Sequence, residues 1–429
     1  MESLFAGIDL GTSGCRIIVI NKNKEIRESN AINYIQSDEQ NPELWVESVF
    51  YLLSSLPDSI KSDLKALAID GTSGTILLTD KTGQPSSSAL MYYDQRASKE
   101  AQLIKNIMPQ ENGGQGASSS LARLMWLLKN EPSQKHKHAL HQADYILGKL
   151  TGNYAISDEN NSLKLGYDVV NRCWKVQEMR QLGVSSSLLP NVYKAGTCAG
   201  YISKDIAKKL GLPETLQLST GTTDSIAAFI ATGANKLGEA VTSLGSTLVI
   251  KLIANQALFS PDHGIYSHRL GDKWLVGGAS NSGGKVLRHF FTDAEMIRMT
   301  ASLDPFHSTE LHYYPLIDVG ERFPIADINK RANLTPRPDN DIIFFQGMLE
   351  GIAEIEQKAY EKLFELGAPK LLSVRSVGGG AKNLSWVDIR QGYLNVKMIQ
   401  TEQSEAAYGS ALLALSSINQ KKHELRDIM

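Results

Sequence analysis

Phe5-Ala6-Gly7-Ile8-Asp9-Leu10-Gly11-Thr12-Ser13-Gly14-Cys15-Arg16-Ile17-Ile18-Val19-Ile20 is the stretch that decides the fold class. It contains two apolar runs, 5–8 and 15–20, on either side of a turn that carries glycine, two hydroxyl side chains and the carboxylate of Asp9. The second run is rich in β-branched residues, so the pattern predicts a β-hairpin. Because glycine turns let backbone N–H groups converge on an anion, this hairpin turn is a candidate phosphate site.

The same pattern recurs along the chain. Residues 64–69 form an apolar run that is followed by another glycine- and hydroxyl-bearing turn and by a second apolar run, 75–78. The later turns predicted after apolar strands are Asp70-Gly71-Thr72-Ser73-Gly74, Thr220-Gly221-Thr222-Thr223-Asp224, Leu244-Gly245-Ser246-Thr247 and Gly378-Gly379-Gly380-Ala381-Lys382-Asn383. A single turn of this kind is weak evidence, whereas several in both halves of a chain suit a polyphosphate ligand.

Helices are predicted between the strands. Apolar residues recur every three or four positions at Met348, Ile352, Ile355, Ala359 and Leu363. Glu354 and Lys358 stand at i,i+4 in the favourable order, and Gly367 with Pro369 supplies the stop. Near the end, residues 405–411 are so small that their helix can approach another element closely. Strands alternating with helices predict an α/β fold.

Composition limits the class of protein. The chain has 429 residues, 44 basic and 46 acidic, with a formal net charge of -2. This length suits two or three domains, and the near-neutral charge argues against non-specific nucleic-acid binding. No apolar run is long enough for a membrane helix, and no secretory leader is recognisable, so we expect a cytoplasmic protein. Nothing indicates a protein partner, and the oligomeric state is left open, a monomer included.

The sequence lacks the other common phosphate-binding and hydrolase motifs. The nearest approach to a P-loop ends at Gly284-Lys285, but Ala279 and Val286 replace its first glycine and its hydroxyl. No G-x-G-x-x-G opens a helix after the first strand, and no G-x-S-x-G elbow exists.

Two carboxylates among the turns suggest the chemistry. Asp9 beside a phosphate implies Mg²⁺, bound through water, because two like charges at ~4 Å repel by about 4 kcal/mol in a protein-like dielectric. Asp224 stands at a strand-to-helix junction, where it either caps the helix or acts as a general base towards a hydroxyl.

Two further clusters have ordinary interpretations. His136, His138 and His141 form a histidine cluster in which His136 and His138 alternate with Lys135 and Lys137, and the cluster is interpreted as a solvated connector rather than a metal site. Residues 92–96, Tyr-Tyr-Asp-Gln-Arg, line a polyol pocket or form a surface ion pair, and the sequence leaves both open.

The order of the turns resembles the FGGY carbohydrate kinases of the actin/hexokinase-like superfamily. Residues 9–14 with Arg16 are similar to that family's first phosphate loop, 244–247 to its second, 378–383 to its adenosine loop, and 221–224 to its catalytic segment. The resemblance runs from residue 7 to about 415, nearly the whole chain. The compact length, the 70–74 segment and Pro42 with Trp45 are most similar to the short xylulokinase-like D-ribulose kinases of cyanobacteria and plants.

The resemblance implies roles for individual residues. Those implied for the sugar are Asp9, Thr12, Ser13, Gly14, Cys15, Arg16, Ser73 and Asp224, with Asp224 as the general base and Asp9 also serving Mg²⁺. Those implied for ATP are Gly11, Thr12, Gly245, Ser246, Thr247, Gly378, Gly379, Gly380, Ala381, Lys382, Asn383 and Trp386. Tyr92 and Arg123 depart from the family pattern, where Trp and Lys are usual, and both departures concern the sugar.

The implied architecture is two actin-like domains of ribonuclease H type flanking a nucleotide cleft. Residues 1–231 are expected to form the N-terminal sugar-binding lobe, with a C-terminal helix at 405–424 packing back on it. Residues 232–404 are expected to form the nucleotide-binding lobe. The implied reaction is ATP-dependent phosphorylation of the terminal hydroxyl of D-ribulose, with D-xylulose or another small polyol as the alternative acceptor. A non-catalytic ATP-binding sensor or chaperone is the alternative from a different class.

Overall fold

The computed structural model describes residues 2–35, 39–109, 111, 113–116 and 119–424, excluding the side chains of 419–424. Residue contacts divide the chain into two units. Unit 1 comprises Met1–Gly233 and Gln403–Met429, and unit 2 comprises Ala234–Glu402. Each unit is built on a six-stranded mixed sheet with helices, so the predicted α/β class is confirmed.

Unit 1 contains the first twelve strands in chain order. They are β1 Leu4–Leu10, β2 Gly14–Asn21, β3 Ile26–Asn33, β4 Leu64–Gly71, β5 Ile76–Thr79, β6 His138–His141, β7 Ile156–Asp158, β8 Tyr167–Asp168, β9 Cys173–Trp174, β10 Asn191–Tyr193, β11 Cys198–Tyr201 and β12 Gln217–Thr223. The main sheet has the order β11-β12-β4-β1-β2-β3. The predicted hairpin is confirmed, since β1 and β2 pair antiparallel through residues 4–10 and 15–21.

The helices of unit 1 lie between these strands and after unit 2. They are α1 Pro42–Ser54, α2 Asp58–Asp63, α3 Ser98–Ile107, α4 Ser120–Asn130, α5 Gln142–Thr151, α6 Glu159–Lys164, α7 Val176–Gln181, α8 Lys204–Leu210, α9 Asp224–Ala231 and, after unit 2, α14 Ala406–Glu424. A 3₁₀ turn covers Ser186–Leu188.

Unit 2 carries the remaining elements. They are β13 Glu239–Leu244, β14 Leu248–Ala254, β15 Tyr266–Leu270, β16 Lys273–Ser280, α10 Gly284–Phe290, α11 Asp293–Thr300, α12 Asp341–Glu365, β17 Ser373–Val377, α13 Leu384–Leu394 and β18 Lys397–Ile399, with 3₁₀ turns at Pro261–His263 and Gly379–Lys382. The sheet order is β15-β16-β14-β13-β17-β18. The helix predicted around 348–363 is confirmed as α12, and Lys358 Nζ lies 2.6 Å from Glu354 Oε1.

The two sheets share one topology over five strands. In unit 1, β1, β2 and β3 run antiparallel in sequence, β4 is parallel to β1, and β12 is parallel to β4. In unit 2, β13, β14 and β16 repeat the antiparallel order, and β17 and β18 repeat the parallel additions. The hairpin turns at 11–13 and 245–247 therefore occupy equivalent places in the two units.

The C-terminal helix completes unit 1. A Cβ on Gly7 of β1 would lie 2.0 Å from the Ala407 carbonyl oxygen, and a Cβ on Gly409 would lie 1.8 Å from the Ala227 carbonyl oxygen on α9. The predicted close approach of the small-residue helix is therefore confirmed. Only glycine at these two positions permits the contact, because any side chain would displace backbone atoms.

The secondary structure of unit 1 corrects the interpretation of two segments. Residues 220–223 are the buried end of β12 rather than a turn, and Thr222 and Thr223 pair with Asp70 and Gly71 of β4. His138 and His141 belong to β6, and His141 is fully buried between Ser120 Oγ, 2.9 Å from its Nε2, and Asp144 Oδ2, 3.1 Å from its Nδ1. The interpretation as a solvated connector therefore fails for His138 and His141, because β6 pairs with β5 inside the unit. Among the described residues, no group of three or more His, Cys, Asp or Glu is arranged to hold a metal ion.

No helix in the described part of the chain is both long enough and apolar enough to span a membrane.

Candidate functional site in each unit

Asp9 sits where three strands of unit 1 meet in register. It lies opposite Asp70 of parallel β4 and opposite Arg16 of antiparallel β2. Burial raises the pKa of Asp9, and the charge of Asp224 raises it further, whereas Arg16 acts in the opposite direction. The site therefore concentrates negative charge and favours a cation or a proton.

Asp70 is fully buried opposite Asp9 and is a residue of the site that the sequence alone does not reveal. Its Oδ2 accepts a hydrogen bond from Ser410 Oγ of α14 at 2.6 Å. Burial and the neighbouring charge of Asp9 raise its pKa well above the ordinary value. Its Oδ1 is buried and has no hydrogen-bond partner among the described residues, so the raised pKa favours a protonated Asp70. Only the register of β1 with β4 reveals this pair, because the two residues are distant in sequence.

Asp224 is the first residue of α9, directly after β12. The N-cap position belongs to Thr223, so the interpretation of Asp224 as the helix cap is wrong. Asp224 Oδ1 accepts the N–H of Ser225 at 2.6 Å, and its carboxylate interacts electrostatically with Asp9 and Asp70. Thr223 Oγ1 is buried and makes no hydrogen bond within the described structure. The carboxylate of Asp224 and the hydroxyl of Thr223 therefore lie together at the N-terminus of α9.

The β1–β2 turn presents backbone groups and two hydroxyls. The Gly11 N–H donates to the Gly14 carbonyl at 2.9 Å, leaving Thr12 half-buried and Ser13 exposed. A Cβ on Gly14 would lie 2.1 Å from the Ile32 carbonyl oxygen, so glycine is required for β2 and β3 to pair there. Arg16 follows on β2 and forms an ion pair with Glu405, the residue before α14.

Cys15 requires a correction. Its side chain is 2% exposed and packs in the unit 1 core, because β2 is buried on both faces. Burial, with the nearby charges of Asp9 and Asp70, raises the pKa of the thiol. The side chain of Cys15 therefore offers a sugar no accessible surface, and only its main chain remains available.

Ser73 lies half-buried in the turn after β4. Its carbonyl oxygen accepts the ammonium of Lys164 at 3.3 Å, and the next residue, Gly74, accepts the buried guanidinium of Arg123 at 3.0 Å. Arg123 also donates to the carbonyl oxygen of Asp94 at 3.3 Å. Its guanidinium therefore connects the backbone of the turn after β4 to the backbone of residues 92–96. Arg96 and Asp94 form an ion pair at 2.6 Å, as the ion-pair interpretation of residues 92–96 predicts.

The two glycine turns of unit 2 touch through their backbones. Gly378 has φ +85°, and a Cβ there would lie 2.9 Å from the Leu244 carbonyl group. A Cβ on Gly379 would meet nothing within 4 Å, so the exposed side of this turn is open. Gly245 is equally unobstructed, with its nearest atoms at 3.8 Å. The arrangement is a shallow cradle of backbone amides of the kind that anions bind.

A third segment supports this cradle and was missed in the sequence. The N–H groups of Gly284 and Lys285 donate to the carbonyls of Gly245 and Ser246 at 2.9 and 3.0 Å. The hydroxyl of Ser282 is buried without a hydrogen-bond partner in the part of the chain that the structure describes. The signal in the sequence is Ser-Gly-Gly-Lys at residues 282–285, a further glycine turn with a hydroxyl neighbour.

Asn383 and Trp386 hold the 378–382 turn in place. Asn383 caps α13 through the N–H of Trp386 at 3.0 Å and also donates to Thr300 Oγ1 at 3.0 Å. Trp386 is 2% exposed, donates from Nε1 to the Leu349 carbonyl at 3.1 Å, and would lie 2.5 Å from a Cβ on Gly380. The interpretation of Trp386 as a direct nucleotide contact needs correction, because a ring so deeply buried offers a ligand almost no surface.

Each of the two units matches the model of a known protein family. The model of the FGGY family of carbohydrate kinases, N-terminal domain, matches residues 4–231, and the C-terminal domain model matches residues 240–418. The chain is 24% identical to the xylulose kinase of Staphylococcus xylosus over 95% of this chain and 89% of that protein. It is 26% identical to the xylulose kinase of Bacillus subtilis (strain 168), covering 95% of this chain and 87% of that one.

The fold also matches solved structures. The crystal structure of a xyloylose kinase from Brucella ovis superposes with a TM-score of 0.87 at 21% identity, over 97% of this chain and 91% of that chain. Both family models together span most of the sequence, and the two-domain α/β fold agrees. The chain belongs to the FGGY family of carbohydrate kinases, which use ATP with Mg²⁺.

Proposed function

We propose that this carbohydrate kinase transfers the γ-phosphoryl group of ATP to the terminal hydroxyl of D-ribulose, giving D-ribulose 5-phosphate and ADP. The observation that carries the proposal is the carboxylate of Asp224 at the head of α9, in electrostatic contact with Asp9 and Asp70. The choice of D-ribulose rests on the resemblance of the compact chain and its 70–74 segment to D-ribulose kinases. D-Xylulose is the second candidate acceptor, because the matched relatives are xylulose kinases.

The sugar lies against unit 1 in this proposal. The groups that bind it are the carboxylates of Asp9 and Asp224, the hydroxyls of Thr12, Ser13 and Ser73, the main chain of Gly14 and Cys15, and Arg16. Carboxylates and hydroxyls accept or donate hydrogen bonds to a polyol in fixed directions, and these determine which hydroxyl approaches Asp224. We assign residues 1–231 and 405–424 to this sugar-binding part, and 232–404 to the nucleotide-binding part.

Asp224 acts as the general base in this proposal. Its carboxylate accepts the proton of the terminal hydroxyl while that oxygen forms its bond to the γ-phosphorus and the bond from this phosphorus to the ADP oxygen breaks. A general base of this kind contributes about 10²–10⁴ in rate. Positioning and electrostatic stabilisation provide the rest of the acceleration, as is usual in phosphoryl transfer.

The nucleotide is held by the open turns. We assign to it the turn residues Gly11, Thr12, Gly245, Ser246, Thr247, Gly378, Gly379, Gly380, Ala381, Lys382 and Asn383, with Trp386 supporting the last turn from beneath. The open space above Gly379 and the buried, unpaired hydroxyl of Ser282 fit a polyphosphate nucleotide. The carboxylate of Asp9 suits Mg²⁺ bound through water, and the ion supplies charge neutralisation for the phosphates.

The test is ADP release, coupled to a spectroscopic readout, with MgATP and D-ribulose, D-xylulose, L-ribulose, L-xylulose, glycerol or gluconate. The proposal predicts the highest kcat/KM for D-ribulose. Preference for D-xylulose would transfer the assignment to the second candidate. Preference for any of the other acceptors would retain the kinase and reject both ketopentoses.

A further inference from the structure

A fully buried ion pair lies in unit 2 between α12 and α13. The side chains of Glu356 and Arg390 are both 0% exposed. Arg390 Nε lies 2.6 Å from Glu356 Oε2, and Arg390 Nη2 lies 2.7 Å from Glu356 Oε1, so the guanidinium and the carboxylate share two hydrogen bonds. Removing both charges from water costs about as much free energy as the attraction between them returns. General stability alone therefore does not account for this pair.

The ion pair is joined to two neighbouring strands of the unit 2 sheet. Thr242 Oγ1 of β13 donates to Glu356 Oε1 at 2.5 Å. Arg390 Nη1 donates to Ser376 Oγ of β17 at 2.6 Å. Because the proton of Thr242 goes to the carboxylate, the Tyr360 O–H donates to Thr242 Oγ1, at 2.8 Å. Thr242 and Ser376 are partners in the parallel register, so one ion pair holds both strands at the same level of the sheet.

This level lies directly before the two glycine turns of unit 2. Thr242 is three residues before Gly245, and Ser376 is two residues before Gly378. The two turns are already in close contact there, since a Cβ on Gly378 would lie 2.9 Å from the Leu244 carbonyl group. A shift of one strand end relative to the other would therefore change the spacing between the backbone amides of the two turns.

Unit 1 shows that the sheet itself does not require a polar network at this level. Ile8 of β1 precedes its hairpin turn by three residues, as Thr242 does in unit 2, and Ile8 pairs in register with Ile69 of β4. Ile8 and Ile69 are 0% and 1% exposed and belong to the hydrophobic core. Because an apolar pair suffices in the same topology, we look for the reason for the ion pair in what unit 2 binds.

We propose that Glu356 and Arg390 are positioning residues for the nucleotide, which fix the two glycine turns of unit 2 at the spacing that binds it. This inference rests on the proposed function, because it takes these turns as the nucleotide site. Backbone amides bind an anion best when they are already in place, since ordering them on binding lowers affinity. The buried pair does not touch the ligand and acts through the hydroxyls of Thr242 and Ser376.

The first test separates the strands from the ion pair and leaves both charges in place. Thr242→Val combined with Ser376→Ala removes the two hydroxyls with little change in side-chain shape. We expect this variant to weaken ADP binding, measured by titration calorimetry, by about tenfold, because the turns are no longer held before ADP arrives. The KM for ATP should rise to a similar extent. ADP binding equal to that of the wild type would overturn the proposal.

Glu239→Gln is the matched control. Glu239 pairs with Arg375 at 3.4 Å across the same two strands, but it lies at the start of β13, away from the turn. This variant should leave the affinity for ADP unchanged, even where its unfolding temperature falls. If it weakened ADP binding as much as the loss of the two hydroxyls, the effect would not depend on the buried pair and the proposal would be wrong.

The second test separates positioning from stability. Arg390→Met leaves a buried, unpaired carboxylate, so it should lower the unfolding temperature by roughly 5–10 °C and weaken ADP binding by about tenfold. Arg390→Met combined with Glu356→Leu places apolar side chains at both positions and should restore the unfolding temperature without restoring ADP affinity. If ADP affinity returned together with the unfolding temperature, the role of the pair would be structural and the proposal refuted.

ADP binding by the wild type tests the proposed function separately. A wild-type protein that binds no ADP would refute the assignment of the nucleotide to these turns, and this inference with it. A wild-type protein that binds ADP no better than the variants do would overturn this inference alone. Both measurements can be made without knowing the acceptor sugar.

Discussion

Asp70 lies directly opposite Asp9 in the parallel pairing of β4 with β1, and the buried member of the pair is anchored by Ser410. Two carboxyl groups at one level of a sheet cannot both ionise cheaply in a buried place. The pair therefore leaves Asp9, the more accessible member, as the carboxylate that meets a ligand. This relationship supports the proposed assignment of Asp9 to the Mg²⁺-dependent part of the reaction.

Asp224→Ala should lower kcat by about 10²–10⁴ while nucleotide binding survives, because the general base is lost and the proposed nucleotide turns lie elsewhere. Steady-state turnover and calorimetric titration with ADP measure the two effects. Asp205→Asn, which removes an exposed carboxylate on α8, is the control and should behave as wild type. Unchanged turnover in Asp224→Ala would refute the base assignment.

Asp9→Asn should raise the free Mg²⁺ concentration needed for half-maximal turnover by about tenfold, since a carboxylate acting through water contributes as an outer-shell ligand does. The measurement is turnover against free Mg²⁺ at saturating ATP and sugar. Asp58→Asn is a suitable comparison, because the Asp58 side chain is fully exposed. If the Mg²⁺ titration of Asp9→Asn superposes on that of the wild type, the role of Asp9 is wrong.

Gly379→Ala should weaken ADP binding by about tenfold, equivalent to about 1.4 kcal/mol, without loss of thermal stability. The added methyl meets nothing within 4 Å in the protein, so its only obstacle is a nucleotide lying on the open turn. Titration calorimetry and thermal unfolding separate the two properties. Wild-type affinity in this variant would place the nucleotide away from the 378–382 turn.

Gly409→Ala should destabilise unit 1 by about 3 kcal/mol, because the new Cβ would lie 1.8 Å from the Ala227 carbonyl oxygen in a close-packed contact. Gly392→Ala on α13 provides the contrast, since its Cβ meets nothing within 4 Å and alanine favours a helix by about 1 kcal/mol. Urea unfolding of both variants should move in opposite directions. Equal midpoints would show that α14 tolerates the methyl and that the close packing is not required.

Lys164→Met should stabilise the protein at pH 7, because it removes a buried charge. In the folded protein, burial lowers the pKa of Lys164 to about 8, below its ordinary value of 10.5. The unfolded chain therefore binds more protons between these pH values, and the stability of the wild type rises with pH there. The penalty is fully present below pH 8 and amounts to at most ~3 kcal/mol at about 1.36 kcal/mol per pKa unit. The difference in unfolding free energy between variant and wild type should therefore shrink as pH increases from 7 to 10. Parallel stability curves would contradict the buried charge.

Local patterns made much of the fold predictable. The hairpin at 5–20 and the helix at 348–363 could be recognised because strand alternation, β-branched runs and helical spacing depend only on neighbouring residues. The close packing of residues 405–411 followed from side-chain size alone. These elements can therefore be predicted without knowing which other elements they pack against.

The errors and omissions share a different cause. Cys15 and Trp386 seemed to be contact residues because they adjoin glycine turns, but elements distant in sequence bury both of them. Asp70 was missed because only the register of β4 with β1 brings it to Asp9. Long-range pairing decides such positions, and no short window of sequence contains it.

The location of α14 has a consequence for the order in which the protein is made. All of unit 2 is encoded between the two segments of unit 1, so its residues leave the ribosome together and can form their sheet first. Gly7 on β1 must wait for Ala407 and Ala411, and Asp70 must wait for Ser410, until the last stretch has emerged. A nascent chain that stalls before this point therefore contains all of unit 2 but lacks the helix that completes unit 1.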